Sequence, residues 1–170
     1  MKGLKSLISK HYTKEEFAWI MQDWANSVYS LMITTAIFPL YFKTVSSNAG
    51  VSAADSTAYL GYANSIATFA VSIMAPVLGA LADYKGYRNP MFTWSTLLGV
   101  FSVIGMMFAE TDQWILLLAL YTLSAIGYSA SNIFYDSSIM DVTTYDRMDR
   151  ISAAGYGYGY IGSVFPFVLF

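Results

Sequence analysis

Asp23 and Asp136 are carboxylates inside long apolar stretches, where an ionised side chain is costly unless it faces a partner or water. Around the first, the chain reads Trp19-Ile-Met-Gln-Asp23-Trp-Ala-Asn26-Ser27-Val-Tyr29-Ser30. At helical spacing Asp23, Asn26, Ser27, Ser30 and Thr34 share a face, with Ile20, Ala25, Met32 and Ile33 opposite. A wet stripe on an apolar helix suits a cavity that passes a polar solute or a proton. The alternatives are a stripe that only bonds neighbouring helices together, or an Asp23 solvated at the headgroup boundary. Around the second, Tyr128-Ser-Ala-Ser131-Asn132-Ile-Phe-Tyr135-Asp136 sets an amide and phenols beside a carboxylate. Asn132 and Asp136 are four apart and share a face with Tyr128 and Ser129, so this carboxylate could carry a proton. Equally, it could cap the helix end or pair with a basic loop residue. The candidate cavity set is thus Asp23, Asn26, Ser27, Tyr29, Ser30, Asn132, Tyr135 and Asp136.

A third group has a mechanical chemistry. Gly79-Ala-Leu-Ala-Asp83-Tyr-Lys85-Gly86-Tyr-Arg88 closes one apolar stretch just before Pro90 opens the next, which predicts a tight polar hairpin over 83–89. Gly79 would let another backbone approach, and Gly86 would supply a positive φ in the turn. Asp83, Lys85 and Arg88 would place charge at a membrane rim, where Asp136 and Asp141 are candidate partners. Such a network would act as a cytoplasmic gate (Gly79, Asp83, Lys85, Gly86, Arg88, Asp141). On the plainer reading, the basic residues only set topology.

The elements that must position these residues follow from hydropathy. Of 170 residues 56% are hydrophobic and only 12% charged, against about 25% charged in a soluble domain. Mean hydropathy is +0.47. A span needs about 20 apolar residues, and the apolar stretches fall at 17–42, 58–82, 90–109, 114–139 and 153–170, the last incomplete. The expectation is an all-α polytopic transmembrane bundle in contact with the lipid bilayer, behind an amphipathic lead-in over 1–16 that suits a helix on the membrane surface or a flexible tail. Trp19, Trp24 and Tyr41 suit interfacial belts, and Pro76 predicts a kink. Lys2, Lys5, Lys10, Lys14, Lys85, Arg88, Arg147 and Arg150 lie on one side of this plan, eight of the nine Lys and Arg; Lys43 alone falls in the alternate loops. The N-terminus, the hairpin and the 140–152 loop are therefore assigned to the cytoplasm, in an integral membrane protein.

Several classes are disfavoured. A net charge of −2 offers no basic surface for nucleic acid. The absence of cysteine removes disulfides, thiolate metal sites and thiol nucleophiles. His11, the single histidine, reads as a solvated residue of the lead-in, and no cleaved signal peptide is evident. No metal or organic cofactor site is expected, and no catalytic residues. Asn64 and Ser65 read as interhelical hydrogen bonding more readily than as ligands. Gly155, Gly159 and Gly162 have a small-residue spacing suited to tight helix packing, with Pro166 adding a bend; this is either a packing seam or a flexing helix in a moving bundle.

The hairpin resembles the signature loop between helices 2 and 3 of the major facilitator superfamily, G-x-x-x-D-(R/K)-x-G-(R/x)-(R/K). Three further stretches resemble one branch of it, the autophagy-related vacuolar amino-acid effluxers and their bacterial relatives. Trp19-x-x-x-Asp23-Trp24-Ala25-Asn26-Ser27-x-Tyr29 is similar to W-x-x-Y-D-W-A-N-S-x-Y, with Gln22 for Tyr. Asn132-x-Phe134-Tyr135-Asp136-Ser137-x-x-x-Asp141 is similar to N-x-F-Y-N-S-x-L-P-D, with Asp136 for Asn and Met140 for Pro. Ser152-x-x-Gly155-Tyr156-x-x-Gly159-Tyr160-Ile161-Gly162 is similar to S-x-x-G-Y-x-x-G-Y-x-G. The resemblance covers residues 19–162.

It implies a secondary transporter of about twelve spans, whose two six-helix halves open a central cavity to each side in turn. This chain would supply most of the N-terminal half, with spans 1 and 4 lining the cavity. The remaining C-terminal helices, or a second chain, would complete it. A small solute, an amino acid or another metabolite, would be exported, with a proton as a possible co-substrate; Asp136 adds a titratable group that the branch pattern lacks. Drug/proton antiport fits less well, because span 4 lacks the arginine of many such antiporters and span 5 their Gly-Pro. A non-transporting membrane scaffold is the alternative from another class. An intramembrane aspartyl hydrolase using Asp23 and Asp136 is a third, without the Gly-x-Gly-Asp surroundings such enzymes have.

Overall fold

The first helix of the computed structural model, which describes residues 11–110 and 112–169, starts on a reciprocal cap. The Glu16 amide donates to Thr13 Oγ1 at 3.1 Å, and the Thr13 amide donates to Glu16 Oε2 at 2.8 Å. Two otherwise orphaned amides are thereby satisfied, and α1 runs over Lys14–Val28. The helix does not stop there. It passes through a π-helical segment, Tyr29–Ile37, into α2, Phe38–Asn48, giving one run of 35 residues. Pro39 lies just beyond the π segment; it donates no backbone hydrogen bond, and its ring crowds the carbonyl four residues earlier. The wider turn relieves that crowding, and Thr35 Oγ1 donates to the Ser30 carbonyl, five residues back, at 3.0 Å.

After a four-residue turn follow α3, Ala53–Ala82, and α4, Lys85–Met106. Next come α5, Trp114–Ser137; the short α6, Ile139–Val142; a 3-10 turn, Tyr145–Arg147; and α7, Met148–Leu169. The described residues contain five long helical runs and no strand, an all-α bundle. Three runs are long and apolar enough to cross a bilayer by length and composition: Lys14–Asn48, Ala53–Ala82 and Trp114–Val142. The helices outrun the apolar stretches because backbone hydrogen bonding continues through polar residues such as those at 43–48. Residues 1–10 of the expected lead-in lie outside the described residues, and Lys14, Glu15 and Glu16 belong to α1.

The chain divides into two units, each described here alone. One is Ile37–Ser137. Its inside is built from small and aromatic residues. Gly99 on α4 and Gly127 on α5 bring two backbones together: a Cβ on Gly127 would stand 2.6 Å from the Gly99 nitrogen and 2.8 Å from the Ser95 carbonyl oxygen. Phe38 stacks on Tyr121 with ring centroids 3.9 Å apart, and the Tyr121 hydroxyl donates to Asn64 Oδ1 at 2.9 Å. Asn64 therefore serves as the interhelical bond expected of it. On α3 the buried positions are Ser56, Ala63, Ala67 and Ala82, while Tyr62, Ile66, Phe69, Ile73 and Val77 form a stripe each about 60–70% exposed. Small residues inward and large apolar ones outward is the arrangement of a helix whose solvent is lipid. The other unit comprises the described parts of Met1–Ala36 and Ser138–Phe170, in which α1 packs along α7.

Candidate functional site

In the second unit, the polar face of α1 meets the glycine face of α7. A Cβ on Gly155 would stand 3.1 Å from Asp23 Oδ2 and 3.1 Å from Trp19 Cζ3. A Cβ on Gly159 would press on Ser27 Oγ, and one on Gly162 would run into the Trp24 indole. The spacing 155, 159, 162 on α7 thus answers 19, 23, 24 and 27 on α1, with Gly155 beneath Trp19 and Asp23, Gly159 beneath Ser27 and Gly162 beneath Trp24. Two motifs that were separate in sequence, the Asp23 stripe and the glycine repeat, form one seam. Asp23 and Ser27 remain partly exposed beside it. Asn26 is also partly exposed and accepts a 3.4 Å hydrogen bond from Gln22 Nε2. Tyr29 and Ser30 open the π segment, whose wider turn leaves residues four apart short of the positions that α geometry gives them. The helical register that aligned Thr34 with Ser30 does not hold there.

The same unit holds a charged cluster that the sequence reading did not assign. Glu16 is 2% exposed. Besides the Thr13 amide, its carboxylate accepts from Thr143 Oγ1 at 2.6 Å and from Arg147 Nη2 at 2.8 Å. Arg147 Nη2 also donates to the His11 carbonyl at 3.0 Å. A buried carboxylate is tolerated when its lone pairs are taken in this way. The available signal was the capping-box spacing Thr13-x-x-Glu16; nothing local pointed to Thr143 or Arg147.

In the first unit, Asn132 is partly exposed, Tyr135 is buried, and Asp136 is exposed one residue before the end of α5. The hairpin differs from expectation. Only Asp83 and Tyr84 separate α3 from α4, and Gly86 lies within the first turn of α4. The reversal is made by Tyr84 in an extended conformation (φ −91°, ψ 112°), and among the described residues the positive-φ glycine is Gly50. The close approach expected at Gly79 is also absent: a Cβ there would meet nothing within 4 Å. Arg88 is buried rather than a freely solvated rim charge, and its Nε donates to the Ala82 carbonyl at 2.7 Å, capping the end of α3. Asp83 and Asp141 are exposed, and the Lys85 side chain lies outside the described set. Among the described residues, no cluster of three or more His, Cys, Asp or Glu could hold a metal ion.

The family described as "Vacuole effluxer Atg22 like" matches residues 51–142. A Bacillus subtilis (strain 168) protein named as an uncharacterized MFS-type transporter, YxiO, is 48% identical over 160 residues. That alignment covers 94% of this chain and 37% of the relative, so the chain spans little more than a third of the relative's length. No solved structure matches it.

Proposed function

The chain belongs to the Atg22-like vacuole effluxer family of the major facilitator superfamily, and from that premise we propose that it forms part of a secondary solute transporter working by alternating access. Its solute is an amino acid or another small metabolite moved outward across a bacterial plasma membrane, with proton coupling available through a carboxylate. The observation that carries this reading is Asp23: a carboxylate within an apolar helix, partly open, and backed by the Gly155 and Gly159 face of α7. A carboxylate used only as helix glue would not need an open side. Asn26 and Ser27 beside it offer the amide and hydroxyl that a zwitterionic or amine-bearing solute requires. Asn132, Tyr135 and Asp136 form a separate candidate set, to be tested by their own variants.

The experiment is solute flux in proteoliposomes made with the complete natural polypeptide that carries this chain. Candidate amino acids are screened with and without an imposed proton gradient. Asp23→Asn is expected to abolish flux while the protein still folds and inserts. Undiminished flux in Asp23→Asn would remove this carboxylate from the mechanism. No flux of any screened solute from well-folded protein would favour a scaffold role instead.

A further inference from the structure

We propose that the pocket between the end of α2 and the start of α3 binds a phosphate-class oxyanion at the outer face of the membrane, its natural source being a lipid headgroup. The pocket is an open cavity of about 320 Å³ lined by Lys43, Thr44, Ser47, Asn48, Val51 and Ala53. One lining residue is a cation, and none is a carboxylate.

Placement comes first. The helical run Lys14–Asn48 has 35 residues, more than the about 20 that a span of the hydrocarbon core needs. A run this long reaches into the headgroup layers, and five of its last six residues, Lys43, Thr44, Ser46, Ser47 and Asn48, are polar. Aromatic residues mark the interface just before them. Tyr41 is exposed, and Tyr59 on α3 stacks on Trp114 at the start of α5, with centroids 5.0 Å apart. Lys43 lies beyond that belt, at phosphate level. It is the one basic residue in the loops assigned to the outer side, where the other charges, Asp55, Glu110 and Asp112, are acidic.

The chemistry of the wall follows from its hydrogen bonds. Three of the last carbonyls of α2 are already engaged: Val45 O, Ser46 O and Ser47 O accept from the amides of Ala49, Val51 and Gly50 at 3.2, 2.9 and 3.0 Å. Thr44 Oγ1 donates to the Leu40 carbonyl. Asp55, the nearest acid in sequence, has its carboxylate engaged by Ser52 Oγ at 2.7 Å. Lys43, Ser47 and Asn48 then bring an ammonium, a hydroxyl and an amide to the cavity, all donors that an oxyanion accepts from. The walls are held in fixed register by the buried Ser46–Ser56 hydroxyl pair, 2.8 Å apart, and by Gly50 at φ +80°. A preformed site loses less entropy on binding.

The test uses the complete natural polypeptide that carries this chain, purified in a detergent without charge, with thermal unfolding as the readout. The additives are dioleoylphosphatidylglycerol, dioleoylglycerol (the same tails without phosphate) and inorganic phosphate. At a hundredfold excess over Kd, binding is expected to raise the midpoint by about 5 °C or more, and Lys43→Gln should remove at least half of the rise while Lys43→Arg keeps it. A rise with phosphatidylglycerol alone supports the headgroup as ligand. A rise with both phosphate and phosphatidylglycerol supports a free oxyanion site. The proposal is overturned if dioleoylglycerol works equally well, if Lys43→Gln responds like the parent, or if no phosphate compound shifts the midpoint. Ser47→Ala, which leaves the helix register alone, gives the same decision should Lys43→Gln fail to fold.

Discussion

Arg147 donates to Glu16 at 2.8 Å across 131 residues of sequence, joining the first turn of α1 to the turn that launches α7. The acid is almost wholly buried while the base is 37% exposed, so the two halves of the pair are not equivalent. Glu16 is held by four parts of the chain, counting Thr13, Thr143 and, through Arg147, the His11 carbonyl.

Removing the acid should therefore cost more than removing the base. Glu16→Ala loses the cap, the Thr143 bond and the ion pair together, and is expected to destabilise by about 2–3 kcal/mol. Arg147→Ala leaves Glu16 with the Thr13 amide and the Thr143 hydroxyl, and should cost about 1 kcal/mol, discounted for solvent screening. A double-mutant cycle on unfolding in mixed micelles measures the coupling, expected at about 0.5–1.5 kcal/mol. Additive single costs would mean that the pair is incidental.

The seam between α1 and α7 predicts a graded glycine series. Gly162→Ala must displace the Trp24 ring, and Gly159→Ala the Ser27 side chain; overpacking of this kind costs about 1–3 kcal/mol. Gly155→Ala presses on Asp23 and Trp19 and should impair flux beyond its effect on stability. Gly157, on the same helix, has nothing within 4 Å of its would-be Cβ. Gly157→Ala should be neutral, or stabilising by up to about 1 kcal/mol through helix propensity. Thermal midpoints of the four variants decide; equal losses would dissolve the seam.

Tyr121→Phe removes one hydroxyl and leaves the ring on Phe38 intact. The Asn64 oxygen then loses its donor from α5, at an expected cost of about 0.6–1.5 kcal/mol. Asn64→Leu combined with Tyr121→Phe should recover part of that loss, because no acceptor is then left without its donor. A double variant worse than the sum of the singles would refute the hydrogen-bond account.

What could be read from the sequence tracks which forces are local. Apolar stretches are a local property, and each of the five falls in a helical run, three of these runs being long and apolar enough to cross a bilayer. Helix ends are less legible: α2 continues through Lys43–Asn48 because backbone hydrogen bonds need no apolar side chains. The π segment was invisible to a 3.6-residue template, although Pro39 was the available clue. The α3–α4 turn went to Tyr84 rather than Gly86, because two successive helices can change direction on one extended residue without a positive φ. For the site, Asp23 and the glycines were each legible, but their meeting was not, since spacing on one helix does not name its partner. Glu16 was overlooked because Thr143 and Arg147 lie more than 120 residues away.

The α3–α4 junction separates two roles that the hairpin motif had merged. Arg88 caps α3 through the Ala82 carbonyl, so Arg88→Ala should lower stability by about 1 kcal/mol or more, and Lys, which has no Nε donor in that geometry, should restore little of it. Asp83 is exposed, and its loss should leave stability within about 0.5 kcal/mol of the parent. If the junction gates access from the cytoplasm, Asp83→Asn slows turnover while the solute concentration at half-maximal flux stays put. Paired flux and unfolding measurements on both variants resolve this. A proportionate fall in turnover and affinity for Asp83→Asn would leave the motif with the cap alone, and the gate would have to be sought elsewhere in the complete polypeptide.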